Sequence, residues 1–210
     1  MLIDDVVNTH FYSIFEKELR KEICSIGVLK HAEPDKILLE IRRDINFVPF
    51  IISGVAKVMR RDGQGNGFFL HYLTENQTSA IAINYAIENV KSEIRIKSES
   101  DISYIAVPSK VVNLWHKKYS SWQKYYSNLY QKQTSLLLEK INDIAFTNLE
   151  NRLLKYLEET SIVKNNNILY CKHFDIARDL KVSREAVSRV LKKLENDEIL
   201  TLGRNKIVLS

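Results

Sequence analysis

A group of charged and hydroxyl-bearing residues repeats at helical spacing near the carboxyl end of the sequence. At steps of three and four come Glu185, Ser188, Arg189 and Lys192, with Arg184 beside them. These positions share one side of an α-helix. Arginine can donate to O6 and N7 of guanine, and glutamate can accept from N4 of cytosine, so such a side can read base edges in a major groove. In an isolated helix the same residues would be ordinary solvated charges.

Apolar residues occupy the opposite side of this helix and the segment before it. The predicted buried face of the helix consists of Val187, Val190, Leu191 and Leu194. Ser183 is a suitable N-cap and a further candidate DNA contact. A preceding short helix and turn contribute Ile176, Ala177, Leu180 and Val182, with the small alanine where the two helices approach. The segment therefore predicts a helix-turn-helix.

A polar turn between two apolar strands follows the helix and completes a winged helix-turn-helix. Its tip presents two candidate phosphate-binding cations, Arg204 and Lys206. The same residues also fit an ordinary surface hairpin. Residues 151–210 hold 12 Lys and Arg against 8 Asp and Glu, so they carry +4 of the formal net charge of +5. This distribution fits a polyanionic partner, but charge alone fits a normally solvated surface equally well.

The rest of the chain predicts an α+β protein with a β-rich amino-terminal half. After a helical lead-in over 4–25, short apolar runs separated by turn residues predict an antiparallel β-sandwich over the first hundred residues. The glycine-rich stretch 62–67 lacks the Lys-Ser/Thr of a phosphate-binding loop, so we interpret it as a hairpin turn.

From Pro108 a helical period continues for about fifty residues. Its a/d-type seam consists of Tyr126, Tyr130, Gln133, Leu137, Ile141 and Ile144. The seam fits packing on the chain's own β domain or pairing with a second copy about a two-fold axis, and it favours the second. The segment Thr147-Asn-Leu-Glu150 resembles a capping box, which predicts a break and a hinge at Phe146/Thr147.

Several classes of protein are excluded or disfavoured. Two cysteines rule out a disulfide scaffold and a four-cysteine iron–sulfur cluster, and five scattered histidines give no metal-ligand spacing. We therefore expect neither a metal nor a cofactor. The sequence has no membrane-spanning run, no secretory signal and no catalytic motif, so we expect a cytoplasmic protein that is not an enzyme.

The order of these parts resembles the Crp/Fnr family of bacterial transcription regulators. The resemblance is carried by Val182-Ser-Arg-Glu-Ala-Val-Ser-Arg-Val-Leu191, by Ile144-Ala-Phe146 leading into Asn151-Arg-Leu-Leu154, and by Ile52-Ser-Gly-Val-Ala-Lys-Val58. It implies a jelly-roll sensor domain over 1–107, connecting and dimerisation helices over 108–146, and a DNA-binding domain over 147–210. The triplet Glu185-x-x-Ser188-Arg189 is similar to that of the fumarate–nitrate branch, whose members read TTGAT-like half-sites.

By this resemblance the chain is expected to be a homodimer that binds a palindromic site in double-stranded DNA, with RNA polymerase as a further candidate partner. Glu185 and Arg189 would contact bases, and Ser188 would assist them. Lys181 stands where the family often has glycine, so a left-handed backbone there would cost roughly 1 kcal/mol. The alternative function is a small-molecule sensor whose winged helix docks on a protein.

The sensory half departs from the cyclic-AMP receptor protein. Ala80-Ile-Ala82 replaces its Gly-Glu-Leu turn, and Ser92-Glu93 replaces its Arg-Ser phosphate pair, which predicts no cyclic-nucleotide binding. An anion site could still form if Arg95 takes the place of the missing cation. His71 is the one candidate haem ligand, although an ordinary strand histidine fits it better. An unidentified effector and constitutive DNA binding both remain open. The speculative effector residues are Tyr72, Thr78, Ser79, Asn84 and Arg95.

Overall fold

The computed structural model describes residues 2–61, 67–146 and 148–209, with side chains at all of these positions except 61, 67 and 142–146. The helices are α1 (Ile3–Phe11), α2 (Lys17–Ile26), α3 (Ala80–Glu88), α4 (Ser109–Lys118), α5 (Ser120–Phe146), α6 (Leu149–Lys164), α7 (His173–Leu180) and α8 (Arg184–Asn196). The strands are β1 (Val28–Ala32), β2 (Ile37–Leu39), β3 (Phe47–Ser53), β4 (Ala56–Arg61), β5 (Gly67–Leu73), β6 (Ile94–Ser98), β7 (Ile102–Pro108), β8 (Ile168–Tyr170), β9 (Leu200–Gly203) and β10 (Lys206–Leu209).

The chain forms two compact units, which confirms a mixed architecture with a β-rich amino-terminal half and a carboxyl-terminal helix-turn-helix. The first unit contains Met1–Arg60 and Leu70–Leu136, and the second contains Arg61–Phe69 and Leu137–Ser210. None of the helices in the described part of the chain combines the length and the apolarity needed to cross a bilayer.

Two sheets form the β-rich part, with strand orders β1-β7-β3 and β2-β6-β4-β5. β1 and β3 pair antiparallel with β7, and β2 and β4 pair antiparallel with β6. The alternation along β6 explains its placement, because Ile94 and Ile96 are buried while Arg95 and Lys97 are only partly buried. The apolar runs 28–31, 37–40, 47–52, 55–59 and 68–73 predicted β1 to β5 correctly, whereas no strand was predicted at β6 or β7. The glycine-rich turn at 62–66 lies outside the described residues.

The prediction of an all-β region was wrong at α3. The Ser79 hydroxyl caps this helix by accepting from the Ala82 amide at 3.2 Å, and Ala80, Ala82 and Ile83 are buried. A short apolar run cannot be assigned to a strand or a helix by periodicity alone. The tertiary environment decides for the helix here, because α3 packs in the aromatic core of the first unit.

The long helical period after Pro108 is divided in two. Tyr119 has extended backbone angles between α4 and α5. The Glu16 carboxylate accepts from the Ser121 amide at 3.1 Å, which satisfies a free N–H group at the start of α5. Trp115 in α4 and Trp122 in α5 are fully buried, with ring centroids 5.2 Å apart in a T-shaped pair. The break therefore places one large aromatic from each helix in the same core.

α6 lies in the second unit, and its cap differs from the predicted capping box. The Asn148 side chain accepts from the Asn151 amide at 2.9 Å, so the N-cap is Asn148. Thr147 lies outside the described residues. The predicted Glu150 partner in the box instead forms an ion pair with Lys193 of α8. Asparagine ranks with serine as an N-cap, so the helix start was located within one residue but assigned to the wrong side chain.

Candidate nucleic-acid interface

α7 and α8 form a helix-turn-helix with a buried apolar seam. Ile176, Val187 and Leu191 are fully buried between or beneath the two helices, and Ala177 is nearly so. The turn closes where the Val182 amide donates to the Ala177 carbonyl at 3.0 Å. Val190 is only half-buried, so the predicted apolar face is narrower than expected at that position.

Lys181 has the left-handed backbone that the turn requires, with φ of 56°. A residue with a side chain pays roughly 1 kcal/mol relative to glycine in this conformation. Its amide approaches the Ala177 and Arg178 carbonyls, which end α7. The cost is therefore offset by hydrogen bonds that satisfy the last carbonyls of α7.

α6 braces α7 from behind. The Tyr156 hydroxyl donates to the Asp179 carboxylate at 2.7 Å, and the Arg152 guanidinium donates to the Leu180 carbonyl at 2.7 Å. Asp179 is buried, so this bond satisfies one carboxylate oxygen that burial would otherwise penalise. These contacts were not predicted from the sequence, because partners 23 and 28 residues apart leave no periodic signal.

Ser183 caps α8 as predicted. Its hydroxyl oxygen accepts from the Ala186 amide at 3.1 Å, and its backbone is extended. One lone pair of the hydroxyl is thus used within the helix, while the residue stays exposed. The cap fixes where α8 starts and therefore which residues share its outer side.

The outer side of α8 has the predicted exposure. Arg184, Glu185 and Arg189 are exposed, and Ser188 is partly buried. No hydrogen bond or ion pair to another described residue engages Glu185 or Arg189. Their polar groups are accordingly available to an external ligand. An arginine fork and a carboxylate one turn apart can donate to and accept from adjacent base edges.

The predicted cation Lys192 is less available to DNA than the sequence suggested. The Lys192 ammonium lies 2.7 Å from the Glu195 carboxylate, and the other Glu195 oxygen accepts from the Leu202 amide at 2.9 Å. The hydrogen bonds from Lys192 and Leu202 lower the Glu195 pKa, so this carboxylate stays ionised. Glu195 therefore joins α8 to the wing and neutralises part of the Lys192 charge.

The wing contains three strands, one more than predicted, in the order β8-β10-β9. Gly203 pairs with Lys206 across a two-residue turn in which Asn205 has φ of 52°. Arg204 at the tip is exposed, whereas Lys206 is half-buried beside Tyr170 of β8. The apolar run 168–170 after three asparagines is the signal for β8 that sequence reasoning missed.

The speculative effector residues Tyr72, Thr78, Ser79 and Asn84 are buried or partly buried in the first unit. Thr78 and Ser79 are fully buried. The Gln133 amide donates to the Thr78 carbonyl at 2.8 Å, and its oxygen accepts from the Ala80 amide at 2.9 Å. Tyr72 is partly buried on β5. Asn84 accepts a hydrogen bond from the Tyr126 hydroxyl.

The charged groups of this region are paired with each other. The Arg95 guanidinium binds both oxygens of Glu40, at 3.0 and 2.7 Å, and Glu93 pairs with Arg60. The sequence left open that Arg95 replaces the missing phosphate-binding cation. In the structure its guanidinium is already paired with Glu40. His71 is buried on β5. Among the described residues no group of three or more His, Cys, Asp and Glu side chains could hold a metal ion.

The predicted seam of α5 is divided between two environments. Gln133 is buried within its own unit and Tyr126 bonds Asn84, so these two residues support packing on the β domain instead of pairing with a copy. Tyr130 and Ile141 are exposed, and Leu137 is half-buried. The Ile144 side chain lies outside the described residues. The exposed apolar stripe on α5 also includes Leu138, which the seam did not contain.

Residues 151–210 match the Crp-like helix-turn-helix domain model. No curated protein matches the chain at a significant level. Among solved structures, the chain is similar to a protein described as a transcriptional regulator of the Crp/Fnr family from Eubacterium rectale ATCC 33656. The two are 20% identical with a TM-score of 0.83, over 95% of this chain and 92% of that one.

Two further solved structures have the same fold. The c-di-GMP-responsive global regulator CLP of Xanthomonas campestris is 16% identical, with a TM-score of 0.76 over 91% of this chain and 97% of that one. FixK2 of Bradyrhizobium japonicum is 13% identical, with a TM-score of 0.69 over 88% and 92%. The fold likeness covers nearly the whole chain in each case.

Proposed function

We propose that this chain, which has the fold of the Crp/Fnr family of transcription regulators and a Crp-like helix-turn-helix domain, is a sequence-specific DNA-binding regulator. One observation carries the proposal: α8 exposes Arg184, Glu185 and Arg189 on the side opposite its fully buried Val187 and Leu191. A helix with this division lies against its own module and leaves a polar side for a major groove.

Readout would combine base and phosphate contacts. Arg189 would donate to O6 and N7 of a guanine, and Glu185 would accept from N4 of a cytosine. The exposed wing cation Arg204 would contact phosphates and so position the helix without reading sequence. Lys192 and Lys206 would contribute less than Arg204, because the first is paired with Glu195 and the second is half-buried.

The functional form would be a homodimer. α5 exposes three large hydrophobic side chains, Tyr130, Leu138 and Ile141, and a partner could cover them. A second copy would cover them about a two-fold axis and present two α8 helices to successive major grooves, about one helical turn apart. The binding site would therefore be palindromic.

The signal would not be a cyclic nucleotide. The Arg95 guanidinium is occupied by Glu40, and Glu93 adds a carboxylate where a phosphate would need a cation. Breaking the Arg95–Glu40 pair to admit a phosphate would leave a partly buried carboxylate without its partner. Isothermal calorimetry with cAMP and cGMP should detect no micromolar binding, and heat of micromolar binding would refute this part of the proposal.

Binding-site selection with the purified chain tests the main proposal. Selection should enrich a palindrome, and the affinity for the selected site should fall steeply as salt rises. Arg189→Ala should lose about 1 to 3 kcal/mol of discrimination at one base pair in each half-site. Arg204→Ala should weaken all sequences about equally. Arg43→Ala, which removes an exposed arginine in the first unit, is the matched control and should change neither.

Protein docking is the second candidate for the winged helix. Tyr170 and Phe174 of the second unit are exposed by 73% and 60%, which is unusual for large aromatics. A docking surface of this kind predicts that binding to DNA is weak, unselective and unaffected by Arg189→Ala.

Light scattering that finds only monomers at micromolar concentration, with and without DNA, would count against the dimer.

A further inference from the structure

His173 is the first residue of α7, and its ring reaches the predicted reading side of α8. His173 Nδ1 lies 2.9 Å from the Ser188 hydroxyl oxygen, and both side chains are partly buried. Ser188 stands one turn after Arg184 and one turn before Lys192, between the two predicted base-reading residues Glu185 and Arg189. The contact therefore joins the two helices at the position where Ser188 would meet a base.

The direction of this hydrogen bond determines what Ser188 can offer to DNA. A serine hydroxyl has one proton and two lone pairs. If Nδ1 accepts the proton, Ser188 presents only lone pairs, which suit the amino groups at adenine N6 or cytosine N4. If Nδ1 carries a proton and donates, the hydroxyl keeps its own proton for N7, O6 or O4 of a base.

Two features favour the neutral ring. Burial and the nearby charge of Arg184, which faces the ring from α8, lower the His173 pKa below its ordinary value of 6.5. The start of a helix also carries partial positive charge, which disfavours an imidazolium there. On α7 itself, Asp175 is already paired with Arg178 at 3.1 Å.

We propose that His173 is a specificity-determining positioning residue: in the neutral tautomer with its proton on Nε2, its Nδ1 accepts a hydrogen bond from the Ser188 hydroxyl, which fixes that hydroxyl so that Ser188 accepts from a base amino group. This inference rests on the proposed function, because it assigns a role within the same DNA-reading side. Protonation of His173 would reverse the bond and turn Ser188 into a donor. Base preference at one position would then depend on pH near the His173 pKa.

The first test uses the full chain without DNA. Imidazole ¹⁵N spectra of histidine-labelled protein should show the His173 Nδ1 resonance of an unprotonated acceptor at neutral pH. Ser188→Ala should shift that resonance and leave the resonances of His31 and His116 unchanged. A protonated Nδ1 at neutral pH, or a spectrum unaffected by Ser188→Ala, would overturn the inference whether or not the chain binds DNA.

The second test is a double-mutant cycle on the selected site and its single-base variants. The base pair read by Ser188 is the one at which Ser188→Ala removes discrimination. His173→Ala should reduce discrimination at that pair by about three- to tenfold and have no further effect in the Ser188→Ala background. His173→Asn, which keeps an acceptor near the Nδ1 position but does not titrate, should restore it. Lys172→Ala, at the exposed neighbouring position, is the matched control.

A pH series separates positioning from a purely structural role. Wild-type discrimination at this pair should change as the pH falls below 6.5, whereas that of His173→Asn should not. Discrimination that is lost equally at every pair, or that falls further in the double variant, would overturn the inference while leaving the proposed function intact. Wild-type protein that binds DNA without sequence preference would overturn both.

Discussion

The outer side of α8 and the interior of the first unit both carry polar residues that the sequence marks as candidates for binding. The two regions differ in whether these side chains have partners within the fold. Glu185 and Arg189 are exposed and engaged by no other described residue. In the first unit, by contrast, Gln133 and Arg95 are committed to partners within the fold.

The difference shows that local spacing and distant packing control different properties. Helical periodicity decides which side of α8 faces outward, since a buried stripe on one side leaves the other to solvent. Whether a polar group has a partner depends on residues far away in sequence, as with Gln133 and Thr78, 55 residues apart.

The two sides of α8 should respond oppositely to truncation. Leu191→Ala should lower the free energy of unfolding by about 2 to 5 kcal/mol, because it leaves a cavity in a fully buried seam. Arg189→Ala on the exposed side should change it by less than about 0.5 kcal/mol. Urea unfolding followed by circular dichroism measures both. A large destabilisation by Arg189→Ala would mean that its guanidinium is structural, and the contrast would fail.

Substituting two glutamines of α5 should show how much a hydrogen-bonded buried amide contributes to stability compared with an exposed one. Gln133→Ala should lower the free energy of unfolding by about 2 to 4 kcal/mol, because the Thr78 carbonyl and the Ala80 amide would be buried without a partner. Gln131→Ala, at an exposed position of the same helix, is the control and should have little effect. Equal thermal melting of the two variants would show that the first unit does not depend on the Gln133 bonds.

Lowering the pH should destabilise the protein through Glu22, another carboxylate of the first unit that has hydrogen-bond partners within the fold. Burial opposes ionisation of Glu22, but hydrogen bonds from Lys118, Tyr119 and Trp115 outweigh it and lower the Glu22 pKa below 4.5. A lowered folded-state pKa contributes stability that is present above the unfolded value and is lost as the pH falls through the folded value. Wild-type stability should therefore decline below about pH 4.5, and Glu22→Gln should show a shallower decline. Parallel pH profiles of unfolding would contradict this assignment.

The smallest effect is expected in the turn of the helix-turn-helix. Lys181→Gly should raise the free energy of unfolding of the second unit by about 0.5 to 1 kcal/mol, because glycine adopts the left-handed backbone without a side-chain penalty. Lys164→Gly, inside the last turn of α6, should instead be destabilising. Differential scanning calorimetry resolves the two, and destabilisation by Lys181→Gly would show that the lysine side chain contributes more than the strain costs.

Much of the carboxyl-terminal unit was predictable because its signals are short-range. The spacing of Val187, Leu191 and Leu194 gave the buried side of α8, and Ser183 gave its start. The predictions were weaker where a partner lies far along the chain. Nothing near Lys192 in the periodic pattern indicated that Glu195 also holds the wing, and the all-β prediction for the first hundred residues missed α3 because a short apolar run fits either structure.

Residue types and their spacing predicted the order of the units, the strands β1 to β5 and the direction in which Glu185 and Arg189 face. These properties follow from residue type and period, which act within a few turns or strands of the chain. Only the tertiary structure decided that Gln133 and Arg95 are occupied, that Tyr119 interrupts the long helix and that His173 reaches Ser188. Hydrogen bonds and ion pairs act over about 3 Å, so their existence depends on the folded placement of both partners.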